Sequence, residues 1–111
     1  MNCIFCKIIK KEIPAEIVFE NEIIIAFKDV SPATPKHILI VPKIHIESAN
    51  EITKKNLKFI SNIFEKIPEI AKNIGEKDYR IVNNCGEKAG QTVGHIHFHL
   101  MAGRDFSWPP G

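Results

Sequence analysis

The 111-residue chain reads as an α+β domain, helices packed on an antiparallel sheet, and three observations point there. Short runs rich in Ile, Val and Phe recur between turn residues. Two other stretches place apolar residues at three- and four-residue steps. The segments follow the order helix, hairpin, strand, helix, two strands. Residues 1–111 are expected to form one domain, large enough to fold alone on a modest core.

In residues 3–11, Ile4, Phe5, Ile8 and Ile9 fall at helical spacing, with Asn2 placed to cap the start. Pro14 ends that helix, because the residue before a proline is driven toward extended conformations. "EIVFE" (16–20) and "EIIIAFKD" (22–29) read as a hairpin joined at Asn21. The prolines of "SPATPK" (31–36) mark a loop, and "HILIVP" (37–42) is a third strand. A longer helix is expected over 53–74, where Leu57, Ile60, Phe64, Ile67, Ala71 and Ile74 share one face. Thr53 can cap its start and Gly75 its end, while Pro68 should kink or divide it. "YRIVNN" (79–84) and "GHIHFHLMA" (94–102) supply two more strands, separated by the loop "CGEKAGQTV". With two consecutive prolines, "RDFSWPPG" (104–111) cannot be a central strand and reads as a tail laid against something.

Composition narrows the class. The chain is 44% hydrophobic and 25% charged with a mean hydropathy of −0.07, values typical of soluble globular proteins. A net charge of +2 with scattered lysines gives no footprint for nucleic acid or a membrane surface. No apolar run approaches a membrane span, and "MNCIFCKIIKK" has no basic segment leading into a long apolar stretch. The odd set Cys3, Cys6 and Cys85 then argues for free or metal-bound thiols in a reducing compartment, the cytoplasm by default.

Chemistry concentrates in "GQTVGHIHFHL" (90–100), where His95, His97 and His99 alternate with Ile96, Phe98 and Leu100. On a strand the histidines share one face and the apolar residues the core face. Alternate Cα atoms lie roughly 6.6 Å apart and the outer pair roughly 13 Å apart, which disfavours one three-histidine metal centre with ~2 Å bonds. A solvent-exposed polar face is the plain alternative. The chemical one is a row of imidazoles offering a nucleophile, a proton donor and cationic stabilisation for phosphate oxygens. The preceding loop is compatible with phosphate, since Gly86 and Gly90 let N–H groups approach an anion and Gln91 and Thr92 add donors. It is equally compatible with an ordinary turn, and it is not a Walker A loop: Gln91 stands where lysine is needed and the glycine spacing is one residue short.

"GQTVGHIHFHL" resembles the signature of the histidine-triad (HIT) superfamily. The similarity extends through "IFCKIIKKEIPAEIVFE", "AFKDVSPATPKHILIVPK" and "YRIVNN" to the terminal "WPPG", pointing to the Hint branch of purine nucleoside phosphoramidases. That resemblance implies a five-stranded antiparallel sheet with two helices, joined to a second sheet across a homodimer. It implies hydrolysis of purine nucleoside 5'-phosphoramidates, AMP or GMP joined to an amine, through a nucleotidyl-histidine. His97 would be the nucleophile, His99 would contact phosphate oxygens, and His37 would orient the nucleophilic ring. Gln91, Thr92 and amides near Val93 would hold the phosphate beside Asn84, and Asp29 would accept ribose hydroxyls. Ile4, Phe5, Ile8, Phe27 and Val30 would line the purine pocket, and Trp108 would reach toward the partner subunit. Thr92, counted with the catalytic residues, stands where a serine is common in relatives; it keeps the hydroxyl but adds a methyl that crowds the leaving group. Dinucleoside polyphosphate hydrolysis and a nucleotide-binding adaptor role are the alternatives.

Cys3 and Cys6 form a C-x-x-C pair. No strand precedes it to build a thioredoxin-like unit, leaving buried thiols or a metal site. Several microbial relatives pair such cysteines with two histidines around zinc, and the resemblance assigns those places to His45 and His95. No cofactor is expected for catalysis itself.

Overall fold

The structure, a computed structural model, describes residues 3–111. Helix α1 spans Ile4–Ile9, followed by strands β1 (Ile17–Glu20), β2 (Ile24–Lys28) and β3 (Lys36–Pro42). A short 3-10 turn precedes helix α2 (Leu57–Asn73), and β4 (Tyr79–Val82) and β5 (Phe98–Ala102) complete one sheet. The strands are ordered β1-β2-β3-β5-β4, every neighbouring pair antiparallel. This is the expected α+β architecture of five strands and two helices.

Both sheet faces are covered, which explains why the central strands are apolar at nearly every position. Ile24, Ala26, Ile38, Ile40, Phe98, Leu100 and Ala102 meet Ile60, Ile63, Ile67, Ile70 and Ala71 of α2. Ile25, Phe27, Leu39 and Val41, the intervening residues, meet Phe5 and Ile8 of α1. Fully buried side chains such as Ile63 and Ile70 each contribute roughly 1.5–3 kcal/mol of transfer free energy. The face carrying His37, His97 and His99 is therefore the α1 face, closed over by the first helix rather than open to solvent.

Several boundaries differ from expectation for identifiable reasons. Asn2 lies outside the described residues; the α1 cap is Cys3, whose sulfur accepts the Cys6 N–H at 3.4 Å. Asn21 does join β1 to β2, its carbonyl oxygen accepting from the amides of Ile23 and Ile24, so β2 begins at Ile24. Helix α2 begins at Leu57 instead of Thr53. Thr53 donates its amide to the Asn56 side chain, and Asn56 bonds back to the Glu51 carbonyl, which makes 53–56 a turn. Pro68 does not divide α2: the helix runs on through it from Leu57 to Asn73, with the proline on the exposed side. Gly75, with φ +77°, ends the helix as expected: its amide reaches the Lys72 carbonyl and that of Glu76 the Ala71 carbonyl, a Schellman closure. The tail folds back on β4, where Arg80 donates to the Ser107 carbonyl at 3.0 Å and shares the Phe106 ring with Arg104.

Candidate active site

The last strand is shorter than the histidine alternation suggests. Ladder pairing begins at Phe98, and residues 94–97 are irregular, held by the Ile96 amide on the Ile46 carbonyl at 2.6 Å. The alternation nevertheless persists, with Ile96, Phe98 and Leu100 in the α2-side core. His95 and His97 are buried, each in a T-shaped contact with Phe5 at ring distances of 5.9 and 5.1 Å.

Hydrogen bonds assign the tautomers. His97 Nδ1 lies 2.8 Å from the His95 carbonyl and can only donate to it, so Nε2 is the ring nitrogen with a free lone pair. The Ala33 amide donates to His37 Nδ1 at 2.9 Å, which puts the His37 proton on Nε2. That Nε2–H donates to His99 Nδ1 at 2.8 Å, and His99 therefore carries its proton on Nε2. The His99 Nε2 atom is buried and has no partner among the described residues, a donor waiting for an acceptor. Burial lowers the His37 pKa against the pull of Asp29, whose carboxylate lies 3.5 Å away. Burial, then the neighbouring His97 and His37, push His99 down to about 4. His99 is thus neutral near pH 7 and offers an N–H rather than a cation.

His37 consequently does not orient His97 as expected; it bonds His99. The register explains this. Leu39 pairs with His99 and His37 with Met101, so His37 and His99 are diagonal neighbours on one face. The carbonyl of His95 fixes the His97 ring, while Asn83, absent from the expected set, donates to the His97 carbonyl at 2.9 Å. Nothing in "YRIVNN" singled out Asn83 from Asn84.

A cleft of about 290 Å³ brings Ile4, Phe5, Ile8, Phe27, Asp29, Val30, Thr92, Val93, His97 and His99 together, adding Ile13, Pro14, Ala15 and Leu39. It is apolar along α1 and polar at the histidine end, the mix expected of a small-ligand site. A larger depression of about 460 Å³ touches Asp29 and His37 but neither His97 nor His99. Asp29 accepts the Ser31 amide at 2.8 Å through one oxygen.

Gln91 and Asn84 do not line the cleft. The Gln91 amide group donates to the carbonyls of Glu47 and Val93, and its oxygen accepts the Gly86 amide, so this side chain clasps the loop. The amides of Ala89, Gly90 and Gln91 are likewise spent on Gly86 and Glu87 carbonyls. Gly86 and Gly90 thus serve turns with φ of +93° and +95°, and the amides of Thr92 and Val93, which border the cleft, are not engaged by these bonds.

His95 faces another group. Its Nε2 donates to the Pro42 carbonyl at 3.0 Å, leaving Nδ1 to face Cys3 Sγ at 3.4 Å, Cys6 Sγ at 3.6 Å and His45 Nδ1 at 3.2 Å. Cys6 Sγ is also 3.4 Å from His45 Nδ1, and the four ligand atoms all lie within 4.8 Å of one another. Zinc bonds of ~2.05 Å to nitrogen and ~2.3 Å to sulfur require ligand separations of roughly 3.3–3.8 Å around a tetrahedron. The donor set therefore fits zinc in chemistry and in spacing. Burial, then Cys3, push the Cys6 thiol up, a direction that a bound dication reverses.

Fold and site define an α+β protein with a histidine constellation on the α1 face and a Cys₂His₂ cluster beside it. The family described as scavenger mRNA decapping enzyme C-term binding matches residues 2–107. An uncharacterized HIT-like protein of Synechocystis sp. is 44% identical over 111 residues, 99% of this chain and 97% of the relative. The 14 kDa zinc-binding protein of Zea mays is 41% identical, covering 97% of this chain and 87% of its own. The crystal structure of a HIT family hydrolase from Legionella pneumophila Philadelphia 1 superposes with a TM-score of 0.94 at 45% identity, covering 99% of this chain and all of that one (100%). The chain belongs to the HIT superfamily. Among the described residues, no helix is long and apolar enough to cross a membrane.

Proposed function

We propose that this protein hydrolyses purine nucleoside 5'-phosphoramidates, with His97 as nucleophile. One observation carries the reading: the bond from His97 Nδ1 to the His95 carbonyl leaves Nε2 free in a cleft bordered also by the unpartnered His99 Nε2–H. Nε2 attacks the α-phosphorus, the P–N bond breaks, and the departing amine takes up a proton from solvent. Water then cleaves the nucleotidyl-histidine to the nucleoside monophosphate and restores the imidazole. The His99 N–H, with Thr92 and the amides near Val93, meets the phosphate oxygens, and the α1 wall receives the purine. The ribose lies beside Asp29. Cys3, Cys6, His45 and His95 hold a zinc ion, whose chemistry here is structural: four protein ligands leave it no open position. The subunit pairs with a second copy and works in the cytoplasm.

The test uses an AMP phosphoramidate and diadenosine tetraphosphate with wild type and His97→Ala, with intact-mass detection of a nucleotidyl adduct. Wild type turns over the phosphoramidate preferentially, and the variant loses roughly a thousandfold or more. Tight AMP binding without turnover overturns the enzymatic reading in favour of a nucleotide-binding adaptor. Preference for the tetraphosphate reassigns the substrate class.

A further inference from the structure

Residue 95 belongs to two constructions at once. Its imidazole stands in the Cys₂His₂ cluster, with Nδ1 toward both sulfurs and His45 and Nε2 on the Pro42 carbonyl. Its own carbonyl accepts the Nδ1–H of His97 at 2.8 Å. No sheet pairing fixes that carbonyl, because the ladder starts at Phe98. Its orientation depends on the anchored side chain of residue 95, on the Ile96 amide bonded to Ile46, and on Asn83 gripping the His97 carbonyl. Phe5, between Cys3 and Cys6 on α1, presses on both rings. The element that supplies the thiols therefore also touches the nucleophile.

We propose that the Cys3–Cys6–His45–His95 centre, loaded with zinc, positions the nucleophile through the main chain of residue 95. A neutral imidazole divides between two tautomers unless a fixed partner selects one. Clamping the His95 ring immobilises the carbonyl that selects the Nδ1–H form of His97. Emptying the centre frees residue 95 to turn, and His97 then divides its proton between both nitrogens. His95 is a positioning residue in this scheme, and metal occupancy sets the fraction of molecules with a competent nucleophile. The kinetic part rests on the proposed function; the tautomer part does not.

The experiment compares the zinc-loaded full chain with chelator-stripped protein, His45→Ala and His45→Cys at one fixed neutral pH. Zinc content, the ¹⁵N shifts of the His97 ring, AMP affinity, and kcat and KM for an AMP phosphoramidate are measured. Zinc-loaded wild type and His45→Cys, which keeps four donors, show the Nδ1–H tautomer alone. Stripped protein and His45→Ala show a mixture, with kcat down roughly tenfold, as for lost outer-shell partners of a metal site, and KM within about twofold. An unchanged His97 tautomer in folded, zinc-free protein overturns the inference, as does a wild type that never takes up zinc. A fall in AMP affinity in step with kcat overturns it too, since that is general loosening. Should both zinc-free forms unfold, exchange for the larger cadmium ion keeps the four-donor centre and with it the Nδ1–H tautomer; a mixture of tautomers beside an intact cadmium centre overturns the proposal. Absence of turnover in every form removes the proposed function and leaves the ring shifts to decide this one.

Discussion

His99 is uncharged near neutral pH, and that state has a measurable cost in acid. Its pKa is about 4 in the folded protein, against ~6.5 for an exposed histidine. Between those values the unfolded chain holds the extra proton, so stability falls as pH drops from ~6.5 toward 4 and is independent of this residue above that window. His37 and His95 are shifted in the same direction, chiefly by burial. Urea denaturation of wild type and His99→Gln at several pH values isolates the share of His99, since the other two are common to both proteins. The variant should lose less stability between pH 6.5 and 4.5. Equal losses in the two proteins would refute a neutral, desolvated His99. The same neutrality changes the chemistry expected from the sequence. Three imidazoles in a row suggested a cation facing phosphate, whereas burial makes His99 an N–H donor whose orientation is set by His37. Burial of that kind depends on α1 crossing the histidine face, and no local pattern around residues 95–99 records it.

At the scale of elements, α2 carries an evident tension. Pro68 lies within a helix continuous over Leu57–Asn73, so the Phe64 carbonyl lacks its helical N–H donor. The proline is exposed, and its ring contributes little to the packing of Ile63, Ile67 and Ile70 beneath. Replacing it with alanine restores the donor and should raise stability by about 1–3 kcal/mol, read from the urea midpoint with unchanged m-value. A destabilised Pro68→Ala would mean that the ring has a packing role its exposure hides. The apolar stripe of α2 was legible in part, because burial on one face writes a 3.6-residue period into sequence. Ile60, Ile67 and Ala71 are buried as expected, but Leu57 and Phe64 are half-exposed, and Ile63 and Ile70 take their places in the core. Its start was not, since side-chain bonds of Thr53 and Asn56 decide it, and these leave no period. Strand β5 shows the same division. The two-residue alternation of 95–100 correctly separated core from site, yet it ran past the true start of pairing at Phe98. Register between strands was the part no single segment encodes, and register is what gives His37 to His99 rather than to His97. The Gln91 clasp was illegible for a related reason: its partner Glu47 lies 44 residues away.

The whole molecule has two sheet edges that differ in character, and the difference bears on assembly. On the β1 side, a bulge separates Ile17 from Phe19, and the ion pairs Lys28–Glu16, Lys11–Glu20 and Lys43–Glu20 ring the strand. Charge and bulges are the usual guards against edge-to-edge pairing. On the β4 side, Tyr79, Ile81 and Val82 are half-buried and apolar, and Arg80 is occupied by Phe106 and Ser107 of the tail. Beside β5 lies Phe64 of α2, stacked edge-on with Phe98 at 5.4 Å yet 50% exposed, and Leu57, two turns earlier on the helix, is 49% exposed. A second copy pairing along β4 would continue the sheet and cover this apolar strip, burying groups that water otherwise meets. Light scattering on the eluting peak should therefore give twice the 12.6 kDa chain mass for wild type. Phe64→Glu places a charge in that strip without emptying the core, so it should elute with the mass of one chain and an unchanged circular dichroism spectrum. A single-chain wild type would sink the pairing outright. A variant that stays dimeric would move the interface away from the strip beside β4, to the charged edge or to the tail around Trp108.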